Sequence, residues 1–392
     1  MIYLDNHATT PCDPRVVQAM LPWFTEQFGN AGSVEHAMGR AAGAAVEAAR
    51  AEIAALIGAS LSEIIFTSGA TESNNLAILG AARFAKSMGS ERRRVITLAT
   101  EHHAVLDPVA ALAGEGFEPV VLPVRPNGLL DPAVLVAALA VPTLLVSIMA
   151  VNNEIGTVQD IAGLGRMVKA AGAAFHVDAA QAAGRIPFDV GAVPAHLVSL
   201  SAHKMYGPKG IGALYLRRRP RMRISPLVAG GGQERGLRSG TLPVPLIVAF
   251  GEAARLARLE GEGETSRLRV LAARLLGHLR AGIPGLFLNG DAAARVAGNL
   301  NLTFPRRNAA DILVAAPELC LSSSSACTST ADGSVGASHV LTAIGLTPDQ
   351  ARRSLRIGLG RFTCERDIDA AAAQLIAAAH VQASAVARPA AE

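Results

Sequence analysis

Cysteine is scarce in this sequence, and its spacing argues against the common uses of a cysteine cluster. The 392 residues contain four cysteines, at positions 12, 320, 327 and 364. No two of them have the Cys-x-x-Cys spacing of a zinc knuckle, and four are too few for a disulfide framework in a chain of this length. The sequence therefore predicts no resident metal, and each thiol has to be judged by its own surroundings.

Charged residues are also few. They make up 17% of the chain, half of the residues are hydrophobic, and the net charge is +4. This balance excludes a disordered chain and does not by itself imply a nucleic-acid partner. The basic excess is local, in arginine runs at 92–94 and 217–223. We interpret the second run as a solvated edge after a strand, with docking of an acidic protein or tRNA as the alternative, and expect no stable, direct nucleic-acid binding.

A leader peptide and a long uninterrupted apolar run are missing. The first residues contain neither a basic nor an apolar segment, so secretion is not indicated. Residues 133–151 are the nearest approach to a membrane span, but Pro142 divides them into a short helix and a strand. The sequence therefore predicts buried core at this stretch, no membrane association and a cytoplasmic location.

Short apolar runs alternate with helical stretches along the first part of the chain. Strands are predicted at 63–67, 95–99, 119–123, 143–151, 174–177, 197–200 and 212–216, and helices at 14–28, 35–57, 76–88, 105–114 and 161–171. Continuous apolar strands indicate a sheet covered on both faces, and the alternation favours a mainly parallel sheet. We predict a large α/β domain at 16–255.

A long helix predicted at 243–280 leads out of this large domain. The remaining sequence mixes strands and helices, which predicts a smaller α+β domain formed by residues 1–15 and 256–380. Residues 381–392 are rich in Ala and Pro and are predicted to be a flexible tail.

The first stretch that indicates chemistry ends in a lysine. Ser201, His203 and Lys204 close an apolar run and precede a turn rich in Gly and Pro. Partial desolvation there would favour a neutral amine that can attack a carbonyl carbon. The alternative is a surface lysine beside a loop.

Three further features follow predicted strands. Ala70 and Thr71 begin a helix, where backbone N–H groups bind anions, although an ordinary helix cap would look the same. Asp178 ends a buried strand, where a carboxylate needs a cationic partner, either a ligand or a structural salt bridge. His102 is interpreted as an acid/base group or an aromatic platform, because adjacent His103 cannot share a helix face with it as a second metal ligand.

An anion-binding turn, an aspartate, a histidine and an amine on one sheet edge suit pyridoxal 5′-phosphate (PLP). This cofactor needs a Schiff-base lysine, an aspartate at the pyridinium nitrogen and a phosphate cup. A dinucleotide is not indicated, because the glycines at 207, 210 and 212 lead into a strand rather than a helix.

Two residues near the C-terminus complete the set. Cys327 lies among small polar residues, which indicates either an exposed nucleophilic thiol or a harmless loop cysteine. Arg356 lies in a β-like run, from which its guanidinium would clamp a substrate carboxylate with two hydrogen bonds.

These motifs resemble those of the cysteine desulfurases of the NifS/IscS type, within the class V aminotransferase group of fold-type I PLP enzymes. The resemblance covers about residues 2 to 370. The motifs are YLDNHATT at 3–10, TSGATESN at 67–74, TEH at 100–102, VNNE at 151–154, HVD at 176–178, Gln181, SAHK at 201–204, GGGQER at 230–235, RSGT at 238–241, SACTS at 325–329 and Arg356.

The resemblance implies a role for each matched residue. Lys204 would form the Schiff base and move protons, His102 would stack on the cofactor and assist proton transfer, and Cys327 would take sulfur from L-cysteine as a persulfide, leaving L-alanine. In the cofactor ring, Asp178 would contact the pyridinium nitrogen and Gln181 the phenolic oxygen. The substrate would be bound by Arg356 and by Asn153, which would also contact the cofactor. The phosphate would be bound by Ala70, Thr71, Ser201 and His203, and by Thr241 from the partner subunit. A homodimer is therefore expected.

The sulfur acceptor is left open. The resemblance implies an iron–sulfur scaffold or a sulfur carrier, for cluster assembly or thiolation of tRNA or cofactors, and allows a transient iron–sulfur cluster on Cys327.

The sequence departs from the family pattern at three places. Ser324 replaces a glycine of the family motif, the segment after Cys327 is longer than usual, and the tail has no match to the scaffold-docking tail of housekeeping members. The alternatives are a selenocysteine lyase or another class V lyase, and a non-enzymatic sulfur-carrier or tRNA-docking scaffold.

Overall fold

Residues 1–323 and 337–380 are described by the computed structural model of the protein. The strands are β1 (Ile2–Tyr3), β2 (Ile64–Thr67), β3 (Arg94–Leu98), β4 (Glu118–Leu122), β5 (Thr143–Met149), β6 (Ala174–Asp178), β7 (Leu197–Ser201), β8 (Gly212–Leu216), β9 (Phe287–Leu288), β10 (Asn299–Thr303), β11 (Leu319–Cys320), β12 (Ser322–Ser323) and β13 (Ser354–Gly358). The helices are α1 (Pro14–Met20), α2 (Pro22–Thr25), α3 (Ala37–Leu56), α4 (Ala70–Ser87), α5 (His103–Ala111), α6 (Pro132–Leu139), α7 (Ile161–Ala170), α8 (Val244–Gly282), α9 (Ala309–Ala315), α10 (His339–Ala343), α11 (Pro348–Arg352) and α12 (Glu365–His380).

The central sheet has the strand order β2-β8-β7-β6-β5-β3-β4. Strands β3 to β7 pair in parallel, whereas β8 runs antiparallel to both β7 and β2. The predicted α/β architecture with a mainly parallel sheet is confirmed. Parallel strands end at a common edge, so the residues that follow β3, β5, β6 and β7 are brought together there.

Both faces of this sheet are buried, as the continuous apolar strands predicted. Side chains alternate between faces along a strand. Ile64 and Phe66 of β2 therefore pack in one core with α3 and α8, and Ile65 packs in another core with α4 and α5.

Helix α8 links the sheet to a second hydrophobic core. Phe250 packs against the sheet, and Leu271 and Leu275 pack with α12 and with the antiparallel sheet β12-β13-β10-β9. The N-terminal arm joins this second core through Leu4, and β1 pairs in parallel with β11. The domain boundary at 255 stays a prediction because α8 runs through it without a break, and the tail at 381–392 lies outside the described residues.

Two predicted helices differ from the structure by more than a few residues at one end. The helix predicted at 14–28 is divided into α1 and α2, because Pro22 at the start of α2 has no N–H group with which to continue α1. The helix predicted at 76–88, after a turn and helix start at 68–75, begins at Ala70, where Glu72 Oε2 accepts a hydrogen bond from Ser68 N at 2.7 Å. That bond satisfies one of the N–H groups that a helix start leaves unpaired.

The apolar stretch at 133–151 is divided as predicted, into α6 and β5 on either side of Pro142. Across residues 1–323 and 337–380, every helix is too short or too polar to cross a membrane.

Candidate active site

A cavity of about 500 Å³ lies at the carboxyl edge of the central sheet. It is bounded by the residues that follow β3, β5, β6 and β7 and by the N-terminal arm. Ten of the predicted site residues line it: Ala70, Thr71, His102, Asn153, Asp178, Gln181, Ser201, His203, Lys204 and Arg356. Thr241 is exposed and is not among the lining residues, and Cys327 lies outside the described residues.

Lys204 is held over the cavity by the N-terminal arm. Strand β7 ends at Ser201, and one turn of 3-10 helix over Ala202–Lys204 turns the lysine into the cavity. Its Nζ donates hydrogen bonds to the backbone oxygens of His7 at 2.7 Å and Ala8 at 2.6 Å. The amine is therefore directed by two carbonyl groups, and it is not the surface lysine that the sequence left as an alternative.

Asp178 is a buried carboxylate held by neutral donors. Its Oδ2 accepts a hydrogen bond from Asn74 Nδ2 at 2.7 Å, and its Oδ1 accepts one from Ala180 N at 2.9 Å. Because neither donor is charged, the site suits a cationic ligand atom better than a structural salt bridge. A protonated pyridine nitrogen is such an atom.

The start of α4 forms one wall of the cavity and presents its first N–H groups there. Gly212 of β8 makes this approach possible, because a Cβ at residue 212 would lie 2.6 Å from Gly69 Cα and 2.5 Å from Leu200 O. Ser201 and His203 also line the cavity. A helix N-terminus together with hydroxyl and imidazole groups is a suitable receptor for a phosphate.

His102 is the N-cap of α5, and its Nδ1 accepts a hydrogen bond from Ala104 N at 3.0 Å. Burial lowers the pKa of His102, and nearby Asp178 offsets that effect only in part. The ring is therefore neutral at pH 7. Since Nδ1 accepts a hydrogen bond, the proton is assigned to Nε2, which makes the neutral ring a hydrogen-bond donor at that atom.

Arg356 and Gln181 present unsatisfied polar atoms. Arg356 Nη1 donates to Asn153 O at 3.0 Å and Nη2 donates to Asp5 Oδ1 at 2.9 Å. Five atoms of cavity-lining residues are buried without a hydrogen-bond partner among the described residues: His7 Nδ1, Asn74 Oδ1, Asn153 Oδ1, Gln181 Oε1 and Arg356 Nε. Buried polar atoms are rarely left unpaired, so the cavity fits a polar ligand, and its donor set fits PLP.

Sequence reasoning missed several residues of this site. Asn74 orients Asp178, Asp5 holds Arg356, and Glu101 lies buried beside His102 with Oε1 accepting a hydrogen bond from Met149 N at 2.7 Å. Burial raises the pKa of Glu101 well above its usual range. Asp5, Asn74 and Glu101 all lie within motifs of the resemblance, which was the available signal, but only their contacts show what they do.

Glu154 provides a pH-dependent contribution to stability. It is buried, its Oε2 accepts a hydrogen bond from Ser338 Oγ at 2.6 Å, and burial raises its pKa from 4.5 to about 7. The folded protein therefore keeps a proton that the unfolded chain releases, so this contribution falls as pH rises from 4.5 to 7.

We expect Glu154→Gln to remove that pH dependence. Relative to wild type, the variant should gain stability between pH 5 and pH 8, by at most about 3 kcal/mol. Thermal unfolding at both pH values measures the difference, with Glu26→Gln at an exposed glutamate as the control. Parallel pH profiles of wild type and Glu154→Gln would contradict the assignment.

The comparison with known proteins gives one consistent result. Residues 2–371 match the family model for aminotransferase class-V. A cysteine desulfurase IscS from Anaeromyxobacter sp. (strain Fw109-5) is 54% identical, over 94% of this chain and 90% of the relative. A solved NifS-like protein superposes with a TM-score of 0.87 at 34% identity, over 96% of this chain and 98% of the other. The solved structure of SspA in complex with cysteine has a TM-score of 0.80 at 36% identity, over 93% and 100% of the two chains.

The resemblance inferred from the motifs is therefore confirmed. Two curated relatives are 54% and 50% identical over 94% of this chain, and the solved NifS-like protein shares its fold. The chain belongs to the class-V aminotransferase family, within the group of the IscS-type cysteine desulfurases.

Proposed function

We propose that this protein is a cysteine desulfurase that uses PLP to transfer sulfur from L-cysteine to Cys327. In the overall step the bond between Cβ and sulfur breaks and a sulfur–sulfur bond forms, so that L-cysteine and the Cys327 thiol become L-alanine and a Cys327 persulfide. Atoms and electrons balance without an added oxidant or reductant. The observation that carries this proposal is the convergence of Lys204, Asp178 and the start of α4 on one cavity.

The residues that would hold the cofactor follow from the cavity. Asp178 would hold the protonated ring nitrogen, Gln181 would meet the phenolic oxygen, and the start of α4 with Ser201 and His203 would bind the phosphate. PLP, when bound, supplies an electron sink that weakens the bond between Cβ and sulfur of the substrate. Burial, with adjacent Lys204, lowers the pKa of His203 to about 4, so His203 would act at the phosphate as a neutral hydrogen-bonding group.

Two side chains would contribute to proton transfer. Lys204 Nζ lies in the cavity and would serve as the base toward the substrate Cα. His102 would donate a hydrogen bond from Nε2, because its Nδ1 accepts the Ala104 N–H and its neutral ring carries its one N–H there. The role of His102 as a hydrogen-bond donor at Nε2 is more specific than the general assistance to proton transfer that the resemblance implied.

Substrate binding would rely on Arg356 and Asn153, which offer an unpaired donor and an unpaired acceptor in the cavity. SspA, a structural relative, is solved in complex with cysteine, which supports L-cysteine as the substrate here. We further propose a homodimer in which Thr241 reaches the partner's phosphate, a protein acceptor for the persulfide sulfur, and a cytoplasmic location.

Cys327→Ser tests the transfer step. Wild-type holoenzyme with L-cysteine should form L-alanine and add the mass of one sulfur atom to the peptide that contains Cys327. The variant should lose that adduct, and its sulfur delivery to a protein acceptor should fall to background, because the thiolate is the nucleophile. Peptide mass spectrometry and alanine release are the measurements.

Cys364→Ser, at an exposed cysteine, is the matched control and should behave as wild type. Persulfide formation that survives in Cys327→Ser would refute the role of Cys327. Faster turnover of selenocysteine than of cysteine would favour a selenocysteine lyase, and a protein that binds no PLP would favour a non-enzymatic scaffold.

A further inference from the structure

The guanidinium of Arg356 is held at two nitrogens and left open at the third. Nη1 and Nη2 are bonded to Asn153 O and Asp5 Oδ1. Nε is buried without a partner among the described residues, in a side chain that lines the cavity. A ligand carboxylate would satisfy this N–H group.

Asp5 is itself fixed from several directions. Its Oδ2 accepts a hydrogen bond from Ser322 Oγ at 2.7 Å. Its backbone forms a bridge with Gly358, two positions beyond Arg356, and its carbonyl accepts a hydrogen bond from Ala8 N at 2.9 Å. The carboxylate is therefore a rigid acceptor beside an arginine side chain that is only 5% exposed.

A second anchor matters because arginine is long and flexible. Ordering such a side chain costs up to about 2 kcal/mol of conformational free energy, and one backbone carbonyl leaves the plane of the guanidinium free to turn. Recognition of a carboxylate by two parallel N–H groups depends on that plane. Asp5 Oδ1 and Asn153 O together define it.

Charge gives Asp5 a second effect. An unpaired guanidinium at this depth would be strongly destabilised, and Asp5 is its ion-pair partner at 2.9 Å. The two effects can therefore be separated. A neutral acceptor at residue 5 would still orient the guanidinium but would no longer balance its charge.

We propose that Asp5 is a positioning residue for substrate recognition, which fixes Arg356 so that its remaining N–H groups face the substrate carboxylate. The inference rests on the proposed function, since it takes an α-amino acid as the ligand. Asp5 also connects this receptor to β12, from which the chain continues to Cys327, five residues after Ser322.

The test compares two amines that differ by a carboxylate, L-alanine and ethylamine. Their affinities for the holoenzyme are read from the visible absorbance of the bound cofactor, and thermal midpoints verify folding. We expect Asp5→Ala to weaken L-alanine binding about tenfold, which corresponds to the loss of one charge-assisted hydrogen bond, and to leave ethylamine binding unchanged. Asp5→Asn keeps an acceptor at this position and should restore binding to within about twofold of wild type.

Two results would overturn the inference. One is an Asp5→Ala variant with the wild-type ratio of the two affinities, and the other is an Asp5→Asn variant as weak as Asp5→Ala, which would assign the effect to charge. If Asp5→Ala does not fold, Ser322→Ala is the deciding variant. An affinity for L-alanine that falls about threefold, with unchanged affinity for ethylamine, supports the inference, and an unchanged affinity for L-alanine refutes it. Wild type that neither responds to L-alanine nor forms it from L-cysteine would refute the proposed function, and the inference with it.

Discussion

Lys204→Ala is expected to abolish covalent attachment of PLP and to lower desulfurase activity by at least about 10²–10⁴-fold, the contribution of a positioned proton-transfer group alone. The reason is the position of the Lys204 amine in the cavity. Nζ lies at the carboxyl edge of the sheet, directed by the carbonyls of His7 and Ala8. Loss of the covalent attachment adds to the loss of the base.

Borohydride reduction followed by peptide mass spectrometry measures the attachment independently of turnover. Lys209→Ala is the matched control, because Lys209 also lines the cavity and carries the same amine. It should retain the reduced adduct. An adduct that persists in Lys204→Ala and disappears in Lys209→Ala would reassign the cofactor lysine.

Glu234→Ala is expected to lower the free energy of unfolding by about 3–5 kcal/mol, because it leaves a buried guanidinium without its buried carboxylate partner. Glu234 Oε1 and Oε2 each lie 2.8 Å from a terminal nitrogen of Arg50, and Oε2 also accepts a hydrogen bond from Phe66 N at 2.7 Å. The two side chains are 3% and 7% exposed.

Chemical denaturation of the holoenzyme at fixed protein concentration measures this loss. Glu47→Ala is the control, since it removes the exposed carboxylate that pairs with the same Arg50 and should cost at most about 1 kcal/mol. Equal losses of stability for the two variants would show that the buried ion pair contributes no more than the exposed one.

Glu234 and Arg235 have positive φ values of 47° and 60° in the turn before Thr241, so Glu234→Ala should also weaken cofactor retention if Thr241 reaches the partner's phosphate.

Most of the central sheet could be predicted from local sequence. Strand β8 has the predicted bounds, and β6 differs from the prediction by one residue, because apolar runs this short are the length of strands rather than helices. Helix bounds were less predictable. The break between α1 and α2 depends on a single proline, Pro22, inside a stretch that was predicted as one helix.

The site shows a similar division. Lys204, Asp178 and His102 could be singled out because each follows an apolar strand, and parallel strands end at one edge. The N-terminal arm could not be placed in this way. Its carbonyls meet Lys204 across 196 and 197 positions of sequence, and Asp5 meets Arg356 across 351. No local pattern encodes such pairings.

The sequence by itself determined the fold class, the family and the types of group that the chemistry needs, because apolar periodicity and residue identity are local properties. Only the tertiary structure decided which atoms of these groups are hydrogen-bonded within the protein and which remain available to a ligand. It directed Nδ1 of His102 to a backbone N–H, so that Nε2 carries the proton, and it set Asp5 against Arg356, leaving Nε open. Hydrogen-bond direction and burial arise from contacts between distant segments, and these contacts form only when the chain has folded.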